Sequence, residues 1–109
     1  MPRVLKEAIC RDRLRVIRGG FGWVDHRLVR DRYVERCAPP ALALYLFLVV
    51  VADADGLSYW SDAAISARLR LGRGELDRAR AELLAADLIA YAAPLWQVLQ
   101  LPARREDRR

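Results

Sequence analysis

Residues 61–89, SDAAISARLRLGRGELDRARAELLAADLI, constrain the fold more than any other stretch of this chain. Ser61 and Asp62 are helix-start residues, whose side-chain oxygens accept hydrogen bonds from the orphan amides of a first turn. Ile65 and Leu69 follow at i and i+4, so one face is apolar and Arg68 and Arg70 sit off it. Leu71-Gly72-Arg73-Gly74 breaks the pattern. A second helix then carries Leu76, Ala79 and Leu83 as its inner stripe and ends near Asp87. The strand-like runs 88–92 and 95–99, separated by Ala93-Pro94, predict a hairpin immediately after it.

Two consecutive helices joined this tightly are the layout of a helix-turn-helix, in which the second helix is offered to the major groove. With the hairpin added, residues 40–102 resemble the winged helix-turn-helix superfamily, on Ile65, Leu69, Leu71, Leu76, Ala79, Leu83 and Leu88-Ile89. More narrowly, the runs GFGWVDHRLVRDRY, ALALYLFLVVVADADGLSYWSD and DLIAYAAPLWQVLQLP resemble small bacterial proteins found with mobile genetic elements and plasmid-type replication genes. The resemblance implies a mainly α fold with a small antiparallel β-sheet. Residues 39–102 form the winged domain, 1–38 a strand-helix extension packed on it, and 103–109 a basic tail.

The same resemblance exposes Arg73, Gly74, Glu75, Asp77, Arg78 and Ala81 on the second helix, with Arg68 and Arg70 close to where phosphates pass. Arg73 and Arg78 suit a phosphate or a guanine edge. Glu75 and Asp77 depart from the usual reader, since each repels phosphate, although a carboxylate accepts from cytosine N4. The wing, Ala92-Ala93-Pro94, is short and uncharged. Arg104 and Arg105, with Arg108 and Arg109, follow it and are expected to replace it as the cationic contact. Arg80 stands where the superfamily places an apolar residue. It is expected to be partly buried and paired with an acid from residues 53–62.

Charge distribution qualifies this reading. Residues 1–38 hold ten basic and five acidic side chains (+5), residues 39–101 five and seven (−2), and residues 102–109 four and two (+2). Nucleic-acid affinity is largely phosphate neutralisation, so the slightly acidic core counts against the winged domain binding DNA by itself. The positive field comes from the two ends.

The segment ALALYLFLVVVA, residues 41–52, is apolar all the way round, after Pro39-Pro40, which fits the first turn of a helix. Such a helix must be enclosed on most sides. The N-terminal helix or a second subunit is expected to cover its far side. At 12 residues the run is too short for a membrane span, which needs about 20. Leu57-Ser58-Tyr59-Trp60 predicts a short strand joining the hairpin. Upstream, residues 13–18 alternate basic and apolar, Gly19-Gly20 is a turn, and residues 21–24 return as a second strand. Asp25 caps a helix of about 12 residues, HRLVRDRYVERC, with Val29, Tyr33 and Cys37 on its apolar stripe. Its outer arginines read first as a solvated face with local ion pairs.

Chemistry other than binding finds little support. His26 is the only imidazole, the three serines lie in no nucleophile motif, and Thr is absent. Asp53, Asp55 and Asp62 are better explained by caps and ion pairs than by a metal. Cys10 and Cys37 have no metal-ligand spacing and are expected to be reduced thiols. The expectation is a cytoplasmic, non-enzymatic protein without cofactor or metal. It binds double-stranded DNA as a homodimer, with candidate contacts Arg68, Arg70, Arg73, Glu75, Asp77, Arg78, Arg104 and Arg105. The alternative is a protein–protein module docking a recombinase, replication or segregation partner. A third reading, an enzyme accessory subunit, is weaker.

Overall fold

The computed structural model describes residues 6–102, so the basic tail and its Arg104 and Arg105 lie outside the described residues. The fold is mixed α and β. Its elements run α1 (Arg27–Arg30), α2 (Pro39–Val51), β1 (Leu57–Tyr59), α3 (Asp62–Leu69), α4 (Arg73–Ala85), β2 (Ile89–Ala92) and β3 (Leu95–Val98). Single 3-10 turns at Arg11–Arg13 and Tyr33–Arg36 complete them. The three strands form one antiparallel sheet in the order β1-β3-β2. Ser58 pairs with Trp96 on one side of β3, and Tyr91 pairs with Trp96 on the other.

Local chemistry explains most of these bounds. Pro39 opens α2, where its missing N–H costs nothing because the first-turn amides lack helical partners. Ser61 caps α3, its Oγ accepting the Ala64 N–H at 3.1 Å. Arg70 ends α3 in the left-handed region at φ 56°, and Gly72 then starts α4. Leu76, Ala79 and Leu83 are buried on α4 and Ile65 on α3, as the helical spacing predicts. They meet Ala41, Leu44 and Leu48 of α2 and Trp96 of β3 in one core. Each fully buried leucine stabilises this core by about 1.5–3 kcal/mol.

Gly56 closes the turn before β1 at φ +86°, and a Cβ there would stand 2.5 Å from the Val98 carbonyl oxygen. Gly56→Ala must therefore shift the β1–β3 ladder as well as strain the backbone. We expect a loss of about 2 kcal/mol by denaturant titration, since left-handed strain and overpacking each cost about 1–2 kcal/mol. An unchanged midpoint would show that the turn relaxes freely.

The N-terminal region differs from the sequence expectation in two places. No strand forms at residues 13–18 or 21–24. An isolated two-stranded hairpin is marginal without a face to pack on, and Leu14, Val16 and Ile17 are all exposed. The expected 12-residue helix is likewise broken, because Arg32 adopts φ 66° between α1 and the following 3-10 turn. Leu28 and Cys37 are both buried in the same core. At about 100° per residue an unbroken helix would aim them in opposite directions, and the break brings both inward. Val29, expected on the buried stripe, is instead 70% exposed.

Residues 22–38 nevertheless touch the core. Gly22 lies against the Val49 backbone, and Tyr33 and Val34 pack on the core's edge. Asp25 accepts the Arg27 N–H at 2.8 Å, close to the capping role expected of it. Arg27 in turn donates to the Pro102 carbonyl at 2.8 Å, tying the start of α1 to the far end of the chain. The enclosure of α2 is incomplete, with Leu46 and Val50 exposed on its outer side. Among the described residues no helix is long and apolar enough to cross a membrane.

Candidate nucleic-acid interface

Helices α3 and α4 meet at the turn Arg70-Leu71-Gly72, and the exposed side chains around it are mostly basic. Arg68, Arg70, Arg73 and Arg78 are all exposed. None of them forms an ion pair with a described residue. The Arg68 guanidinium lies over the Trp60 ring, 5.6 Å from its centroid. Trp60 itself donates its backbone N–H to the Pro94 carbonyl at 3.2 Å, so the end of α3 borders the hairpin turn. Arg78, further along α4, lies beside Ala38 and Pro40 at the start of α2.

The four carboxylates on the same two helices are all engaged internally. Glu75 accepts the Gly72 N–H at 3.0 Å and thereby fastens the start of α4. Glu82 accepts the Ala38 N–H at 2.6 Å, linking α4 to the start of α2. Asp62 and Asp77 both accept from Arg80, at 2.6 and 3.3 Å. Glu75 and Asp77, expected beside the arginines as contacts, are thus held by the protein's own donors. This engagement is invisible in a net charge of −2, because a sum carries no direction.

Arg80 is the hub of this arrangement. Its side chain is 14% exposed and that of Asp62 27%. Its guanidinium lies over the rings of both Tyr91 and Trp96, at 4.5 and 5.0 Å from their centroids, and the two rings pack on each other at 4.3 Å. It therefore joins α4 to the N-terminus of α3 and to the hairpin at once. The partial burial and the partner within residues 53–62 are as the sequence led us to expect. Trp96 is fixed in its turn by donating Nε1–H to the Trp60 carbonyl at 3.0 Å. The two rings were not foreseen as its walls; an aromatic at positions 91 and 96 on paired strands was the available signal.

Among the described residues, no group of three His, Cys, Asp or Glu residues is placed to hold a metal ion. Cys37 is buried, and desolvation pushes its thiol above the ordinary value, with Glu82 adding to the effect. The thiolate, the reactive form, is thereby disfavoured. Compared with protein-family models, curated proteins and solved structures, the chain has no significant match in any of the three.

Proposed function

We propose that this protein is a winged helix-turn-helix that binds double-stranded DNA as a homodimer, in a bacterial mobile-element or plasmid setting, without catalysis. The order α2-β1-α3-α4-β2-β3, with β3 central in the sheet, supports the fold assignment. One observation carries the function. The carboxylates of α3 and α4 are tied to internal donors, and Arg68, Arg70, Arg73 and Arg78 are left as the unpaired charges around the inter-helix turn. In this reading Arg73 and Arg78 enter the groove, and Arg68 and Arg70 hold phosphates. Glu75 and Asp77 shape the helix that presents them. Arg104 and Arg105 add phosphate contacts.

A salt titration of the full chain against random duplexes and the DNA upstream of its own coding sequence tests this. Each phosphate contact contributes about −0.9 to the slope of log K against log salt. The phosphate contacts of Arg68, Arg70, Arg104 and Arg105 therefore predict a slope steeper than about −3. Removing Arg104 and Arg105 should weaken all sequences alike and flatten that slope further. Absence of salt-dependent affinity for any duplex at low ionic strength would end the DNA reading. The alternative would then stand, a module docking a recombinase, replication or segregation protein. The incomplete cover of α2, with Leu46 and Val50 exposed, is the feature that second reading would use.

A further inference from the structure

At the opposite end of the hairpin from Pro94, a groove of about 1010 Å³ opens between residues 21–25, the end of α2, the turn before β1 and the end of β3. Its floor is apolar, formed by Tyr45, Val49, Val98 and Leu101. Asp25, Asp53 and Asp55 stand among its lining residues, and none of those residues is Lys or Arg; Asp25 already holds the Arg27 guanidinium at 2.9 Å, so the net negative charge comes from Asp53 and Asp55. In a chain with 19 basic and 14 acidic residues that segregation is a specific feature. Asp53 has its Oδ1 committed to the backbone N–H groups of Asp55 and Leu57, which fixes the turn. Asp55 forms no ion pair with a described residue.

The chain also carries a segment of the opposite character. Residues 11–18, RDRLRVIR, place four arginines against one aspartate and interleave them with Leu14, Val16 and Ile17. All of these side chains are exposed, and none of the four arginines pairs with a described acid. Gly19 and Gly20 join this arm to Phe21, on the wall of the groove, and have open space around them.

We infer that residues 11–18 of one copy dock in the groove of a second copy, in a reciprocal exchange of arms. Basic side chains meet Asp53 and Asp55 at the rim, and Leu14, Val16 and Ile17 cover the apolar floor. Fully extended, eight residues span about 26 Å, enough to cross between adjacent molecules. Because each arm leaves from the wall of its own groove, one two-fold axis satisfies both contacts, as an isologous interface requires. Pairing of the two arms with each other is disfavoured, since each carries a net +3 over residues 11–18. The inference rests on the homodimer in the reading above and not on DNA binding.

A charge-swap pair of full-length variants tests it by sedimentation velocity at tens of micromolar, an ordinary range for such association. One variant carries R13E and R15E in the arm. The other carries A54R and D55R in the turn, at exposed positions. Each alone should be monomeric at a concentration where the unaltered chain is dimeric, because like charges face each other. An equimolar mixture should recover the dimer, since in that heterodimer both contacts are again opposite in sign. A mixture that stays monomeric would overturn arm exchange in favour of an arm closing its own groove. Variants that dimerise as strongly as the parent would move the interface elsewhere and leave the homodimer standing. A parent chain that is monomeric throughout would remove both.

Discussion

Arg80→Ala should lower the unfolding free energy by about 3 kcal/mol, the low end of the cost of breaking a buried ion pair. For a domain of this size that is a fall in Tm of 10 °C or more, at about 4–8 °C per kcal/mol. The low end applies because Arg80 and Asp62 keep partial contact with solvent. Three losses combine. Asp62 and Asp77 lose their shared donor, and the rings of Tyr91 and Trp96 lose the cation lying over them. The volume of the side chain also becomes a gap beside the core. Against these stands one gain, since the Arg80 Nε is buried without an acceptor among the described residues, a burden of about 1–3 kcal/mol. Arg80→Met keeps most of the packing and removes that burden, so it should be distinctly less harmful than Arg80→Ala. Thermal melts in which the two variants match the parent would show that the cluster contributes no stability.

The second large effect belongs to the arginines that make no internal ion pair. Replacing Arg68, Arg73 and Arg78 by Ala and Arg70 by Gly should abolish measurable duplex affinity at physiological salt while leaving the fold intact. Gly is chosen at position 70 because φ there is 56°, where glycine carries no Cβ penalty. Singly, Arg73→Ala or Arg78→Ala should cost about 1–3 kcal/mol at a preferred site and less at random sites, as lost base contacts do. Arg68→Ala and Arg70→Gly should weaken all duplexes alike and reduce the salt slope by about 0.9 each. Melting temperature and affinity thus separate by residue: position 80 moves the first, and these four positions move the second. Retained affinity in the fourfold variant would place DNA contact elsewhere or nowhere.

What the sequence determined by itself is whatever depends on near neighbours along the chain. The spacing of Ile65 and Leu69, and of Leu76, Ala79 and Leu83, settles which faces of α3 and α4 turn inward, because helix geometry is local. Ser61 marks the start of α3 and Ala93-Pro94 the hairpin turn for the same reason. Arg80 was expected to be partly buried from the resemblance, which places an apolar residue at that position between Leu76 and Leu83, and a buried cation requires a partner.

Only the tertiary structure decided the rest. Residues 13–24 have the alternation of a hairpin, yet strands need a face to pack, and Leu14, Val16 and Ile17 of the first run are left exposed. Residues 26–37 have the periodicity of one helix, but Leu28 and Cys37 must both reach a core built mainly from α2, α4 and the sheet, and that requirement breaks the helix at Arg32. The direction of each carboxylate was equally out of reach. Glu75 and Glu82 are indistinguishable as acidic residues on one helix; the first turns back to Gly72 and the second across to Ala38 because of where those N–H groups lie in space. The candidate arginines were named from the sequence, but not which acids beside them are bonded internally. Charge composition counts every carboxylate equally, whereas the structure shows which of them accept from the protein's own donors and which arginines have no described acid paired with them.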